Sequence, residues 1–127
     1  MKKLKPYFKK LDCGIYPFDV LFTVGSTEKE VINYLDKTYN YKLDEEETNA
    51  LNLASKSGRS LMFKNQSMLL WVSSDYLPLI AHEVTHIVEF LMEIIKTPIN
   101  ENTSEPVAYL TEYIWKQIVE DHTKRLF

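Results

Sequence analysis

Alternating apolar and polar positions predict three strands along this chain. Between residues 17 and 25 the apolar side chains recur at every second position and are rich in aromatic and β-branched types, which predicts one strand. Residues 58–64 and 66–73 repeat this period on either side of a polar turn, which predicts a β-hairpin. Because residues 66–73 are apolar on both faces, that strand is expected to be central in the sheet or to line a binding cleft.

A period near 3.6 residues predicts three helices. The first begins at the capping-box pair Thr27 and Glu30 and runs to about Lys37. The second spans residues 77–96, and the third runs from residue 104 to about residue 124, each with a proline in its first turn. The order strand, helix, hairpin, helix, helix predicts an α+β domain with a small antiparallel or mixed sheet.

Two segments show neither period clearly. Residues 1–14 are expected to be irregular or to form a short helix, since Pro6 and Gly14 punctuate them. The acidic run Asp44–Glu47 is expected to be a solvated face or loop, followed by a short helical turn. The four acids are not expected to form a cation site, because adjacent side chains on a helix or strand diverge.

Length and composition narrow the class of protein. The chain has 127 residues, so residues 1–127 are predicted to form a single domain. Histidines and glutamates interrupt the apolar helix at 77–96, so no membrane association is expected, and the lysine-rich start lacks the apolar segment of a secretory signal. The single cysteine, Cys13, excludes an internal disulfide and predicts a reducing compartment, the cytoplasm, with Cys13 itself a small, partly buried apolar residue.

The charge of the chain is unevenly distributed. The formal net charge is −3, yet residues 1–10 carry five lysines and no acid. This basic end is expected to be solvated or frayed. Because no basic patch elsewhere extends it, a nucleic-acid partner is not expected.

The candidate chemistry lies in the pattern His82-Glu83-x-x-His86. On a helix, positions i and i+4 lie on one face one turn apart, so the two imidazoles can each present a ring nitrogen to one metal ion. Glu83 lies about 100° round the helix, where it can reach a water on that metal without being a ligand. Such a short pattern also arises by chance, so its surroundings decide how much weight it carries.

A carboxylate on the last helix is the predicted third ligand. His82 and His86 lie on the polar stripe of helix 77–96, opposite its apolar face, and Glu105 lies on the matching stripe of the next helix. If the stripes converge, two imidazoles and one carboxylate leave an open tetrahedral position for water, which is the catalytic form of a zinc site. Glu89 and Glu93 are rival third ligands or partners for a ligand histidine, and other divalent metals fit the same donors. A solvated polar stripe that binds no metal is the alternative.

The motif and the downstream glutamate together resemble the glutamate-zincin branch of the zincin metallopeptidases, and the resemblance covers residues 79–113. The run from Ser104 to Leu110 also resembles small zincin-like proteins of tailed bacteriophages. The resemblance implies a minimal zincin-like domain in which a small sheet packs against an active-site helix and a C-terminal glutamate helix. It also implies a peptide or protein substrate and, for a phage protein, the host cytoplasm.

The site residues follow from the same resemblance. His82, His86 and Glu105 correspond to ligands of one Zn²⁺, and Glu83 corresponds to the general base. The sequence departs from many glutamate-zincins in having Tyr109, not an acid, four positions after the ligand glutamate. Support for a ligand histidine must therefore come from another carboxylate, for which Glu89, Glu93 and Glu112 are candidates.

Three functions are compatible with these patterns. The leading hypothesis is a zinc-dependent peptidase, in which Glu83 takes the proton of a metal-activated water and a substrate strand adds to residues 66–73. Candidate donors to the developing oxyanion are Tyr76, Tyr109, Tyr113 and His122. The second hypothesis is a metal-binding zincin-like interaction or regulatory module, such as a phage accessory protein, without proteolytic activity. The third is a helical interaction domain without a metal.

Overall fold

A four-stranded mixed sheet forms the middle layer of the fold. The computed structural model describes the backbone of residues 6–126 and the side chains of residues 6–124. The strands are β1 (Tyr7–Cys13), β2 (Tyr16–Val24), β3 (Gly58–Met62) and β4 (Met68–Val72), in the spatial order β1-β2-β4-β3. β1 pairs with β2 and β3 pairs with β4 in antiparallel fashion, whereas β2 and β4 are parallel. The predicted α+β class with a small mixed sheet is confirmed.

Helices cover both faces of the sheet. They are α1 (Glu28–Tyr39), α2 (Glu45–Leu51), α3 (Leu77–Ile94) and α4 (Ser104–Leu126). One apolar core lies between the sheet and α3 and α4, and a second lies between the sheet and α1 and α2. Within residues 6–126, none of these helices combines the length and the hydropathy that a membrane span requires.

Strand β4 lies at the centre of the sheet. All five of its residues are buried, with Met68, Leu70 and Val72 in the α3/α4 core and Leu69 and Trp71 in the other core. This confirms the expectation drawn from its two apolar faces. The idea that a substrate strand adds to residues 66–73 is wrong, because β2 and β3 already occupy both edges of β4.

The prediction for the start of the chain is wrong where the structure describes it. Residues 7–13 form β1, an edge strand paired with β2, and residues 1–5 lie outside the described part. The alternation was hidden because Lys9 stands where an apolar residue is expected. Its ammonium lies 3.4 Å from the carboxylate of Asp121 on α4, to which the Tyr7 hydroxyl also donates a hydrogen bond. This end of the strand is therefore attached to α4 and not frayed.

Cys13 behaves as a structural residue. Its side chain is fully buried in the α3/α4 core. Burial, with smaller contributions from the charges of Asp19 and Asp12, raises the pKa of the thiol to about 12. The nucleophilic thiolate is thus disfavoured at neutral pH, in line with the apolar role expected from the sequence.

The acidic run at residues 44–47 starts helix α2 and does not form a loop. Asp44 accepts a hydrogen bond from the backbone of Glu47 and Glu47 accepts one from the backbone of Asp44, which forms a capping box for α2. Glu47 is buried and also accepts hydrogen bonds from the Tyr41 hydroxyl at 2.6 Å and the Lys64 backbone at 3.0 Å. This carboxylate therefore joins α2 to the turn between β3 and β4.

The contribution of this carboxylate to stability is expected to be present above about pH 4.5 and to be lost at lower pH. Burial raises the pKa of Glu47, but its hydrogen bonds from Tyr41 and the backbone outweigh this and lower the pKa below its ordinary value of 4.5. A lowered folded-state pKa stabilises the fold above the unfolded-state pKa, and this contribution is lost as the pH falls through the folded value. Glu47→Gln is thus expected to lower the free energy of unfolding by about 1–3 kcal/mol at pH 7 and by much less at pH 3.

Urea unfolding at the two pH values measures this difference. Glu46→Gln is the matched control, because its side chain is 83% exposed and contacts Lys64 at the surface. An equal loss of stability for Glu47→Gln at pH 7 and pH 3 would contradict the assignment of the pH dependence to this group.

Candidate metal centre

Helix α3 carries the His-Glu-x-x-His pattern, as predicted from its periodicity. Its buried residues pack into the α3/α4 core and hold the helix across β3 and β4. The apolar ones among them are Ile80, Val84, Ile87, Val88, Leu91 and Met92. The histidines lie away from this apolar face, with His82 exposed and His86 half-buried. The helix ends at Ile94, two residues before the predicted end, and Lys96 adopts a left-handed conformation just beyond it.

The two histidine rings lie against each other on α3. Their Nε2 atoms are 3.3 Å apart, and their rings are nearly perpendicular. A tetrahedral zinc ion with Zn–N bonds of about 2.0–2.1 Å would hold two ligand nitrogens about 3.3 Å apart. The Nδ1 atom of His86 lies 3.5 Å from Oε1 of Glu89, so the carboxylate is on the opposite side of the ring from the Nε2 atom. The separation of the ring nitrogens is thus compatible with two ligands of one zinc ion, and equally with a hydrogen bond between the two rings.

Glu83 lies on the flank of α3 that faces β3. Its side chain is only 5% exposed, and its Oε1 accepts a hydrogen bond of 2.7 Å from the Ser60 hydroxyl. Its Oε2 and Cγ atoms lie so close to Gly58 that an added Cβ there would be 2.9–3.0 Å from them. The carboxylate is therefore held between the helix and the edge strand, one position along the helix from His82.

Ser60 and Gly58 were not predicted as site residues. They pair with Leu70 and Val72, so they share the face of the sheet on which α3 lies. A serine and a glycine at alternate positions of that face leave space for a polar helix side chain, where larger apolar residues would fill it. This small-residue alternation was the one signal in the sequence that could have indicated them.

Glu83 and His82 line an open cleft of about 690 Å³ between the start of β3 and the first turns of α3. Its other walls are formed by small polar residues of the strand ends and by side chains of α3, among them Ser57, Ser73, Ser74, Tyr76 and Leu79. Of the four candidate oxyanion donors, Tyr76 is the one that the described residues place in this cleft. Such a groove can admit an extended chain to the carboxylate and the imidazole.

Tyr109 and Tyr113 lie at a different place, near the turn between β1 and β2. A Cβ on Gly14 would lie 3.3 Å from the Tyr109 hydroxyl. A hydrogen bond to Asp12, together with burial and the charge of Asp12, raises the pKa of Tyr113. Both tyrosines therefore contribute to the contact of α4 with the β1–β2 hairpin.

A second, more enclosed cavity of about 230 Å³ lies between β2, α1 and the β3–β4 turn. Its walls include the apolar residues Leu21, Leu35 and Met68, and Asp19 is the one acidic residue among those that line it. This cavity is lined by a single carboxylate and by neither histidine nor cysteine. It therefore has fewer groups that could catalyse a reaction than the open cleft, although it is more enclosed.

The structure does not bring Glu105 to the histidine pair. Glu105 is exposed in the first turn of α4. Among the described residues, no three histidine, cysteine, aspartate or glutamate side chains lie close enough to hold a metal ion, so Glu89 and Glu93 do not complete the site either. α3 and α4 pack against each other, but α3 otherwise contacts β3 and β4 whereas α4 contacts β1. Ligation by Glu105 stays a prediction.

Comparisons with protein-family models, curated proteins and solved structures found no match for this chain. The resemblance to the glutamate-zincins therefore rests on the motif residues in α3 and at the start of α4. The geometry of the histidine pair and of Glu83 supplies the remaining argument for function.

Proposed function

We propose that this chain is a zinc-dependent hydrolase that cleaves peptide bonds in the cleft between β3 and α3. The observation that carries the proposal is the 3.3 Å separation of the His82 and His86 Nε2 atoms, which suits two nitrogens on one tetrahedral zinc ion. Glu83, one position along the helix from His82, lines the same cleft as that histidine and is the proposed base.

His82 and His86 are the proposed zinc ligands, with Glu105 as the third. A zinc ion so held would make a bound water more acidic and polarise the scissile carbonyl. Glu83 accepts a proton from water in the cleft and delivers it to the departing amine. Tyr76, which lines the cleft and is 64% exposed, is the candidate donor to the oxygen that becomes negatively charged.

The position of β3 supports an extended substrate. β3 is an edge strand of the sheet, and its first residue, Gly58, lines the cleft beside Glu83. An edge strand presents unpaired backbone groups on one side, so a peptide can add to it with main-chain hydrogen bonds. β3 thus takes the role first considered for residues 66–73.

A metal-binding interaction module is the second candidate. It is favoured by one observation, that the described residues place no third ligand beside His82 and His86. A site with two protein ligands can still hold a metal when a partner molecule contributes another donor. Such a module would bind zinc without turning over a peptide.

Zinc-dependent cleavage of peptides tests the proposed function. We expect the metal-free chain, mixed with a defined peptide library, to generate new termini only after zinc is added, and excess chelator to suppress them at least about tenfold. Mass spectrometry of the products measures both the rate and the sequence at the cleaved bond. Zinc binding without cleavage would overturn the hydrolase and favour the interaction module, whereas a failure to bind zinc would overturn both.

A further inference from the structure

We propose that Ser60 is a positioning residue that holds the Glu83 carboxylate in its working orientation, with Gly58 providing the space. The inference rests on the proposed function, because it assigns Ser60 a role through the base of that reaction. Ser60 does not contact the histidines in the described structure; its hydroxyl bonds to Glu83 alone.

The side chain of Glu83 is buried and held by a hydrogen bond. A glutamate on an exposed helix face has several rotatable bonds and samples many rotamers. Here the side chain is 5% exposed and is bound by a 2.7 Å hydrogen bond from a strand 23 positions earlier in the sequence. The Ser60 hydroxyl also lies 3.1 Å from the Glu83 backbone carbonyl oxygen, so its single proton is shared between this oxygen and Oε1 or is donated to one of them.

The two carboxylate oxygens of Glu83 differ in their hydrogen bonding. Oε1 is bound to Ser60, whereas no described group donates a hydrogen bond to Oε2. Among the described residues, no buried polar side-chain atom lacks a partner, so Oε2 must be within reach of solvent. Glu83 lines the cleft, and Oε2 is therefore the oxygen available to a water there. Ser60 occupies one oxygen and leaves the other for the chemistry.

The absence of a side chain at Gly58 leaves space for the Glu83 carboxylate. A Cβ at this position would lie 2.9 Å from Oε2 and 3.0 Å from the Leu79 side chain. The side chains of Glu83 and Leu79 would both have to shift to admit this Cβ. The alternation of Gly58 and Ser60 on one face of β3 thus provides both the space and the hydrogen bond that fix the carboxylate.

Kinetics of Ser60→Ala, Ser60→Thr and Gly58→Ala test the role on the zinc-loaded chain. Ser60→Ala is expected to lower kcat about 10- to 100-fold, with KM and zinc affinity within about twofold of wild type, because a misplaced base slows the chemical step and leaves binding intact. Ser60→Thr keeps the hydroxyl and should restore most of kcat. Gly58→Ala should lower kcat by displacing the same carboxylate.

Ser67→Ala is the matched control. Its hydroxyl is also half-buried in the β3–β4 hairpin but bonds to Asn65 within the turn. It should leave kcat within about twofold of wild type. An unchanged kcat in Ser60→Ala, or a loss of kcat in Ser67→Ala equal to that in Ser60→Ala, would overturn the positioning role.

A double-mutant cycle on the metal-free chain separates this inference from the proposed function. The unfolding midpoint is measured for wild type, Ser60→Ala, Glu83→Ala and the double variant. We expect Ser60→Ala to lower the midpoint in the wild-type background and to have little effect once Glu83 is removed. Additive shifts would overturn the contact. If wild type cleaves no peptide, the hydrolase proposal fails while non-additive midpoints still support Ser60 as the residue that holds Glu83.

Discussion

Replacing Glu83 with glutamine is expected to reduce peptide hydrolysis by about 100- to 10,000-fold while zinc stays bound. The amide has nearly the same size as the carboxylate and can still accept the hydrogen bond from Ser60 through its oxygen. It cannot accept the proton of the attacking water. Because His82 and His86 are unchanged, the metal content should remain that of wild type.

Steady-state kinetics measure the rate of hydrolysis, and metal analysis of the same preparations measures the zinc content. Glu45→Gln is the matched control, since it is the same substitution at an exposed position of α2 on the other side of the sheet. Its activity should be within about twofold of wild type. Equal activity of Glu83→Gln and wild type would exclude Glu83 as the base, even if the chain proves to be a zinc hydrolase.

Most of the fold follows from local patterns. The capping box at Thr27, the apolar face of α3 and the two apolar faces of β4 each encode their element within a few residues. Strand β1 could not be predicted in the same way, because Lys9 occupies a core-facing position whose partner, Asp121, lies 112 positions away. A short helical turn was predicted where the longer helix α2 forms, although Asp44 and Glu47 have the capping-box spacing. The burial of Glu47 could not be predicted, since its hydrogen bonds from Tyr41 and the Lys64 backbone depend on how separate segments fold together.

In the candidate site too, local contacts could be predicted from the sequence, whereas contacts between distant segments could not. The approach of His82 to His86 follows from the helical repeat alone, so the sequence was sufficient to predict it. The contact of Glu83 with Ser60 depends on the register of β3 against β4 and on the placement of α3 over that pair. The position of Glu105 depends on how α4 packs relative to α3, which no short-range pattern specifies.

Replacing His82 or His86 with alanine is expected to weaken zinc binding by more than about 100-fold. Each imidazole supplies one of the two nitrogens that the structure places at the tetrahedral spacing, and a single histidine on a helix has no comparable affinity. Calorimetric titration of the metal-free chain with zinc gives the affinity and the number of ions bound, which we expect to be one. His122→Ala is the matched control, because this third histidine lies near the end of α4.

The same titration decides the role of Glu105. Its carboxylate is exposed in the first turn of α4, so the side chain can change rotamer without disturbing the core. If it joins the pair when zinc binds, Glu105→Gln should weaken binding at least about tenfold, while Glu120→Gln at an exposed position further along α4 should not. Equal affinity of Glu105→Gln and wild type would show that the two imidazoles hold the ion without this glutamate. The third donor would then have to come from another side chain, from water or from a bound partner.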